Sequence, residues 1–233
     1  MKRRFSVVLS LLLCLPLALS ACSLPADGSL GAPTVTPPVR EAMLSHVTYD
    51  RPYSFTEAYL EADAVYVVTV GDWLKEDCEK YDVTYFKANV DHVIKGSQQA
   101  EIVLSQMGTS ESTFGHALFT AGNRLLLFLR EWTRENQYEN QYSIICDPLT
   151  ICDIVKLDGG EQYVVYSGGM LSEEEDISSM FWQSVSGADP ETRSAVYSAY
   201  IASDPIFEDM SLGSLSMYRL DEMIAYFKTL DVE

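Results

Sequence analysis

The sequence predicts a mainly β fold: a small closed barrel, preceded by a short helix and followed by a helical appendage. Three observations carry that expectation. Between Ala64 and Tyr166 the chain breaks into short runs rich in Val, Ile, Tyr and Phe, with turn signals at the spacing of roughly 8–12 residues seen in small barrels and sandwiches. One run, Leu125-Leu126-Leu127-Phe128-Leu129, is apolar without alternation, as a strand buried on both faces must be. Beyond Tyr166 the apolar spacing changes from the strand period of about two to the helical period of about 3.6.

Each element follows from its residues. Ser54 can cap a helix over Phe55–Glu61, where Phe55, Ala58 and Tyr59 share a face. Ala64–Val70 is rich in Val and Tyr. Val83–Ile94 alternates Phe86, Ala88 and Val90 against Tyr85, Lys87, Asn89 and Asp91, and Glu101–Gln106 sets Ile102 and Leu104 on one face. Arg124–Leu129 is the continuous apolar strand. Tyr142–Cys146, Ile151–Leu157 and Gln162–Tyr166 follow, the last two joined by Asp158-Gly159-Gly160, which suits a tight hairpin. In the tail, Ser172 and Glu175 form a capping box ahead of Ile177, Met180 and Phe181. Asp189-Pro190 opens a second helix carrying Val196, Tyr197, Tyr200 and Ile201. A final helix near Asp221–Leu230 aligns Met223, Ile224 and Phe227 and is expected to close an open end of the barrel. The barrel is thus read as residues 53–170 and the helical region packed on it as 171–233.

Ahead of the barrel lies an export signal. Lys2-Arg3-Arg4, an apolar run from Phe5 to Leu19 and then Leu19-Ser20-Ala21-Cys22 resemble the bacterial lipoprotein signal, with residues 1–21 removed and Cys22 acylated. Pro16 and a length below the ~20 apolar residues of a membrane span argue against an uncleaved anchor. Residues 22–52, with Pro25, Pro33, Pro37, Pro38 and Pro52, read as the lipidated cysteine and a disordered tether. The expected location is the extracellular side of the cell membrane, held by lipid.

Cleavage takes three of the 16 basic residues and no acid, leaving 13 against 34 acidic ones and a formal charge of −21. Such a charge excludes nucleic acid as a partner and repels anionic lipid surfaces, so membrane attachment falls to the acyl chains. Divalent cations could meet these acids. Glu173-Glu174-Glu175-Asp176 lacks the alternating ligands and glycine of an EF-hand, however, and its acids suit a helix N-terminus. Of the cysteines outside the signal and anchor, Cys146 and Cys152 are spaced to bridge a short loop in an oxidising exterior, which leaves Cys78 as the odd thiol. Three separated cysteines without a histidine in register make no zinc knuckle, and neither metal nor cofactor is expected.

Three stretches carry a family resemblance: Ala62-Asp63-Ala64-Val65-Tyr66-Val67-Val68-Thr69-Val70, Val90-Asp91-His92-Val93-Ile94-Lys95-Gly96, and Phe119-Thr120-Ala121-Gly122-Asn123-Arg124 with the apolar run to Leu129. Together they resemble the OB-like module of tissue inhibitors of metalloproteinases and netrin C-terminal domains, and bacterial surface lipoproteins built alike, over roughly residues 55–166. The resemblance implies an OB-like barrel. In the inhibitors a free N-terminal cysteine binds the protease zinc, a role that an acylated Cys22 on a tether departs from.

No catalytic constellation stands out. There is no His-Glu-x-x-His, no phosphate-cradling glycine loop and no Gly-x-Ser-x-Gly, and His46, His92 and His116 fall in different segments. His116 with Ser110 or Ser112 could assemble a nucleophile and base, against the simpler reading of a solvated loop. Large rings in the polar connection Arg130–Gln141 suggest a binding lip at the barrel rim, with Arg130, Trp132, Arg134 and Tyr138 as candidates. Trp73 and Tyr142 are further aromatics weighed beside them. The function expected is a lipid-anchored binding or assembly module for an extracellular protein or wall polymer, without catalysis. A barrel-rim protease inhibitor and a surface hydrolase are the alternatives.

Overall fold

The computed structural model describes residues 43–44, 54–79, 81–113, 116–132, 138–147, 149–166, 190–203 and 216–231. The chain divides into two units, Met1–Pro33 and Thr34–Glu233, and all the described residues belong to the second. In chain order they form β1 (Met43–Leu44), α1 (Phe55–Glu61), β2 (Ala64–Asp77), β3 (Val83–Lys95), β4 (Glu101–Met107), β5 (Ser112–Thr113) and β6 (Arg124–Glu131). Then come β7 (Gln141–Ile144), β8 (Cys152–Lys156), β9 (Gln162–Tyr166), α2 (Pro190–Ser203), β10 (Ser216–Arg219) and α3 (Leu220–Leu230). The expected helix opening at Ser172, the tether and Cys22 lie outside the described residues.

The fold is mainly β. Strands β6, β2, β3, β4 and β7 hydrogen-bond in that order, and β7 pairs back onto β6, closing a five-stranded barrel of a broadly OB-like kind. All neighbours are antiparallel except β4 and β7. Closure needs strongly coiled strands, and β2 supplies the bend: its register against β3 shifts at four places between Val65 and Lys75. At the far end of β3, Gly96 turns the chain with φ +96°, and a Cβ there would sit 2.9 Å from the Asp63 carbonyl oxygen.

Strand β6 explains its own composition. Leu125, Leu127 and Leu129 point into the barrel with Tyr66, Val68, Phe86 and Leu104. Leu126 and Phe128 point outward, into a second apolar layer formed with Phe55, Tyr59, Met223 and Phe227. One edge of β6 is lined by β2. The other is shared, with β7 at Leu129–Glu131 and β8 at Leu125–Leu126. From β8 the sheet continues through β9 to β10, a ribbon covered on one face by α1 and α3 and on the other by α2, whose Val196 and Tyr200 pack on Val155, Tyr163 and Val165.

Helix α1 forms as its cap predicts: Ser54 Oγ accepts from the Glu57 N–H at 3.0 Å and Glu57 Oε2 accepts from the Ser54 N–H at 3.0 Å. At its other end Lys95 Nζ donates to the carbonyls of Tyr59 and Leu60 at 2.8 and 3.1 Å, satisfying groups the helix leaves open. Helix α3 does not plug a barrel end. Phe227 stacks on Tyr59 at 4.9 Å and meets Phe128 edge-on at 5.6 Å, so the helix covers the outer wall, where the outward residues of β2 and β6 are as apolar as the inward ones.

No disulfide joins Cys146 to Cys152, which corrects the expectation drawn from their spacing. That spacing suits two strands folding back on each other. Here β7 and β8 instead run on in one direction along the same edge of β6, and residues 145–151 form an excursion between them. Hydrogen bonds hold it. The Leu149 N–H donates to the Cys146 carbonyl at 2.6 Å, Thr150 Oγ1 donates to the Ile145 carbonyl, and Tyr166 donates to the Leu149 carbonyl at 2.8 Å. Cys146 takes φ +50°, while Cys152 is wholly buried with its thiol toward the Thr150 carbonyl.

Candidate functional site

Where the barrel wall meets the ribbon, a groove of about 540 Å³ opens between β3, the start of β6, the β8–β9 turn and the junction of β10 with α3. Its floor is apolar, from Val67, Leu220 and Ile224. Two arginines stand at its sides. Arg124 donates from Nε to Asp91 Oδ2 at 3.0 Å and from Nη1 to Gln162 Oε1 at 2.7 Å, and Asp91 also accepts from Thr69 Oγ1 at 2.8 Å. Arg219 forks onto Asp221 at 3.1 and 2.8 Å. The Arg219 hydrogen bond holds the Asp221 carboxyl below the usual carboxylate range, against the opposing effect of burial. His92 and Glu161 complete the polar lining. The result is a surface of fixed donors and acceptors with nearly balanced charge above a greasy floor, suited to binding a hydrogen-bonding ligand.

The predicted rim is assembled differently. Arg130 belongs to β6 itself and pairs with Glu61 at 3.4 Å, both exposed. Trp132 is half-buried and its backbone N–H donates to the Gln141 carbonyl at 2.9 Å. The Tyr138 N–H donates to the side-chain oxygen of the same Gln141 at 3.3 Å, so one buried glutamine ties both ends of the connection. The Tyr138 ring lies 5.7 Å from Tyr85, over which Lys75 is set at 5.4 Å. Arg134 falls outside the described residues. Trp73 packs partly buried against the barrel interior, and Tyr142 is buried beside Tyr66.

A second polar cluster lies where the 116–120 segment meets β8. His116 is not a solvated loop residue: its side chain is 10% exposed, its Nδ1 lies 2.7 Å from the Ala117 carbonyl and its Nε2 lies 3.5 Å from Asp153 Oδ2. The Tyr200 hydroxyl reaches the same carboxylate oxygen at 3.4 Å. Burial pushes the imidazole down, but the Asp153 contact, with Ala117 and Asp147, more than offsets it and raises its pKa. Burial lifts Asp147 to about 7, opposed by the Met107 N–H bound to it at 2.6 Å and by His116. With Nδ1 on a carbonyl and Nε2 on a carboxylate, His116 is not placed as a base for Ser110, whose hydroxyl donates to Glu76 at 3.1 Å. Sequence spacing gave no signal for either cluster, since each gathers residues from strands far apart in the chain.

No family model matches the sequence, and no curated protein matches it either. Among the described residues no group of three or more His, Cys, Asp or Glu side chains is arranged to hold a metal ion, and no helix is long and apolar enough to cross a membrane. The chemistry the geometry does offer is recognition: a small β-barrel with an open, polar-sided groove.

Proposed function

We propose that this protein is a lipid-anchored module on the outer side of the cell membrane, which binds a protein or wall-polymer ligand in the Arg124–Arg219 groove without covalent chemistry. The groove carries the reading. Its arginines are held in place by their own carboxylates, so they present donors in fixed directions without a large net charge. That pattern favours a neutral, hydrogen-bonding chain laid across the apolar floor over a simple anion. The lipobox-like Leu19-Ser20-Ala21-Cys22 and the proline-rich stretch after it supply anchor and reach, and the resemblance to the inhibitor and netrin modules and to surface lipoproteins supports a binding role.

Co-sedimentation of the mature chain with purified insoluble wall material, beside solution binding to solubilised envelope protein, tests the reading. Arg124→Gln with Arg219→Gln should weaken capture at least tenfold, while Trp132→Ala leaves it intact. Loss with Trp132→Ala alone moves the site to the rim, and no binding to either preparation removes the proposal.

A further inference from the structure

The His116 cluster joins elements that strand pairing leaves unconnected. His116 comes from the segment ahead of β6, Asp153 from β8, Asp147 from the excursion between β7 and β8, and Tyr200 from α2. Its protonation can be read from the atoms. A carbonyl oxygen has no proton to give, so the 2.7 Å approach of Nδ1 to the Ala117 carbonyl requires the hydrogen to sit on Nδ1. A neutral ring in that tautomer would aim the Nε2 lone pair at Asp153 Oδ2, 3.5 Å away. The contact is attractive only when Nε2 also carries a proton and the pair is ionic.

We propose that His116, Asp153 and Asp147 form a proton-operated clasp that, protonated, holds the 116–120 segment against β8 and, on losing its protons, releases it. The charge count explains the direction. In acid the imidazolium faces the Asp153 carboxylate with Asp147 neutral, and the cluster carries no net charge. As the pH rises Asp147 ionises and His116 loses its proton, leaving two carboxylates around a neutral ring in a nearly dry site, where like charges repel strongly. Both groups are shifted upward, the direction that a site favouring its protonated form requires. The neighbours among the described residues do not compensate: Gln106 of β4, which binds the Ala117 carbonyl at 2.8 Å and the Phe119 N–H at 3.0 Å, is neutral, and Arg124 of β6 is turned to Asp91 and Gln162. Gln106 therefore tethers the segment at every pH, while His116 adds the part that titrates.

The test uses the purified full-length chain with labelled histidine. Nuclear magnetic resonance should find the His116 ring protonated above the ~6.5 of an ordinary histidine, its titration coupled to that of Asp147. Hydrogen exchange, corrected for intrinsic rates, should then be at least tenfold faster at pH 8.5 than at pH 5.5 for amides 117–119, but unchanged in β6. Asp153→Asn should abolish that difference. A His116 ring titrating at or below the ordinary value overturns the clasp, as does wild-type exchange indifferent to pH. Both of these readouts come from the unmodified protein, so the clasp stands or falls on them even where a variant fails to fold.

Discussion

Removing the ring of Phe227 should cost this domain a large share of its stability. The side chain is wholly buried, stacked on Tyr59 with an interplanar angle of 1° and set edge-on to Phe128. Truncating a buried Phe to Ala loses about 3–5 kcal/mol through transfer and cavity, and each aromatic pair adds about 0.5–1.5 kcal/mol beyond area. The upper half of that range is expected, because α1, β6 and α3 all wall the site and none can collapse without leaving the others. With a urea slope of about 2 kcal/mol per molar, the midpoint should fall by roughly 2 M for Phe227→Ala. Leu230→Ala, at the partly buried end of the same helix, should move it much less. Equilibrium urea unfolding followed by tryptophan fluorescence and far-ultraviolet circular dichroism measures both. A midpoint shift under about 0.5 M for Phe227→Ala would mean that α3 is an accessory to the fold and that the second apolar layer is not part of its cooperative core.

Gly96→Ala should destabilise by about 1–3 kcal/mol in the same melts, since the new Cβ meets the Asp63 carbonyl at 2.9 Å and the φ is left-handed. Stability should fall as pH rises through neutrality: Asp147, with its pKa lifted to about 7, holds a proton in the native state that the unfolded chain has released above about 4. The stabilisation is full below the unfolded value and is lost through the folded one. At about 1.4 kcal/mol per unit this is on the order of 4 kcal/mol, with the raised His116 acting in the same direction, and Asp147→Asn should flatten the slope between about pH 4 and 7. Cys22→Ser should release the protein from the membrane or block its processing, and an intact mass showing unmodified Cys22 would refute lipidation.

Much of the scaffold could be read from local residues. The Ser54 and Glu57 cap, the five-residue apolar core of β6 and the Asp-Gly-Gly hairpin each announce themselves, because each is decided by side chains adjacent in sequence. Strands β1, β5 and β10 do not. They are two to four residues long and exist only where a partner edge waits for them. The cysteine spacing is the same for a hairpin and for an excursion along one edge, so only the register of β7 and β8 on β6 separates the two. Site chemistry was least legible: Arg124 and Arg219, or His116 and Asp153, are brought together by the sheet and carry no shared pattern along the chain.

Thr56 hydrogen-bonds Tyr226 across 170 residues, and Tyr59 donates to Asp231 across 172. Helix α1, ahead of the barrel strands in the chain, is therefore held by residues that come after all of them. The barrel strands precede α3 in the chain, and the outward faces of Leu126 and Phe128 would stand bare until Met223 and Phe227 packed on them. A chain stopped near residue 215 would hold every barrel strand and still present a sticky wall, the kind of surface that drives aggregation. Helix α3 is thus what makes the outer face of the barrel wall an interior, since Met223 and Phe227 supply the apolar cover that no barrel strand can give it.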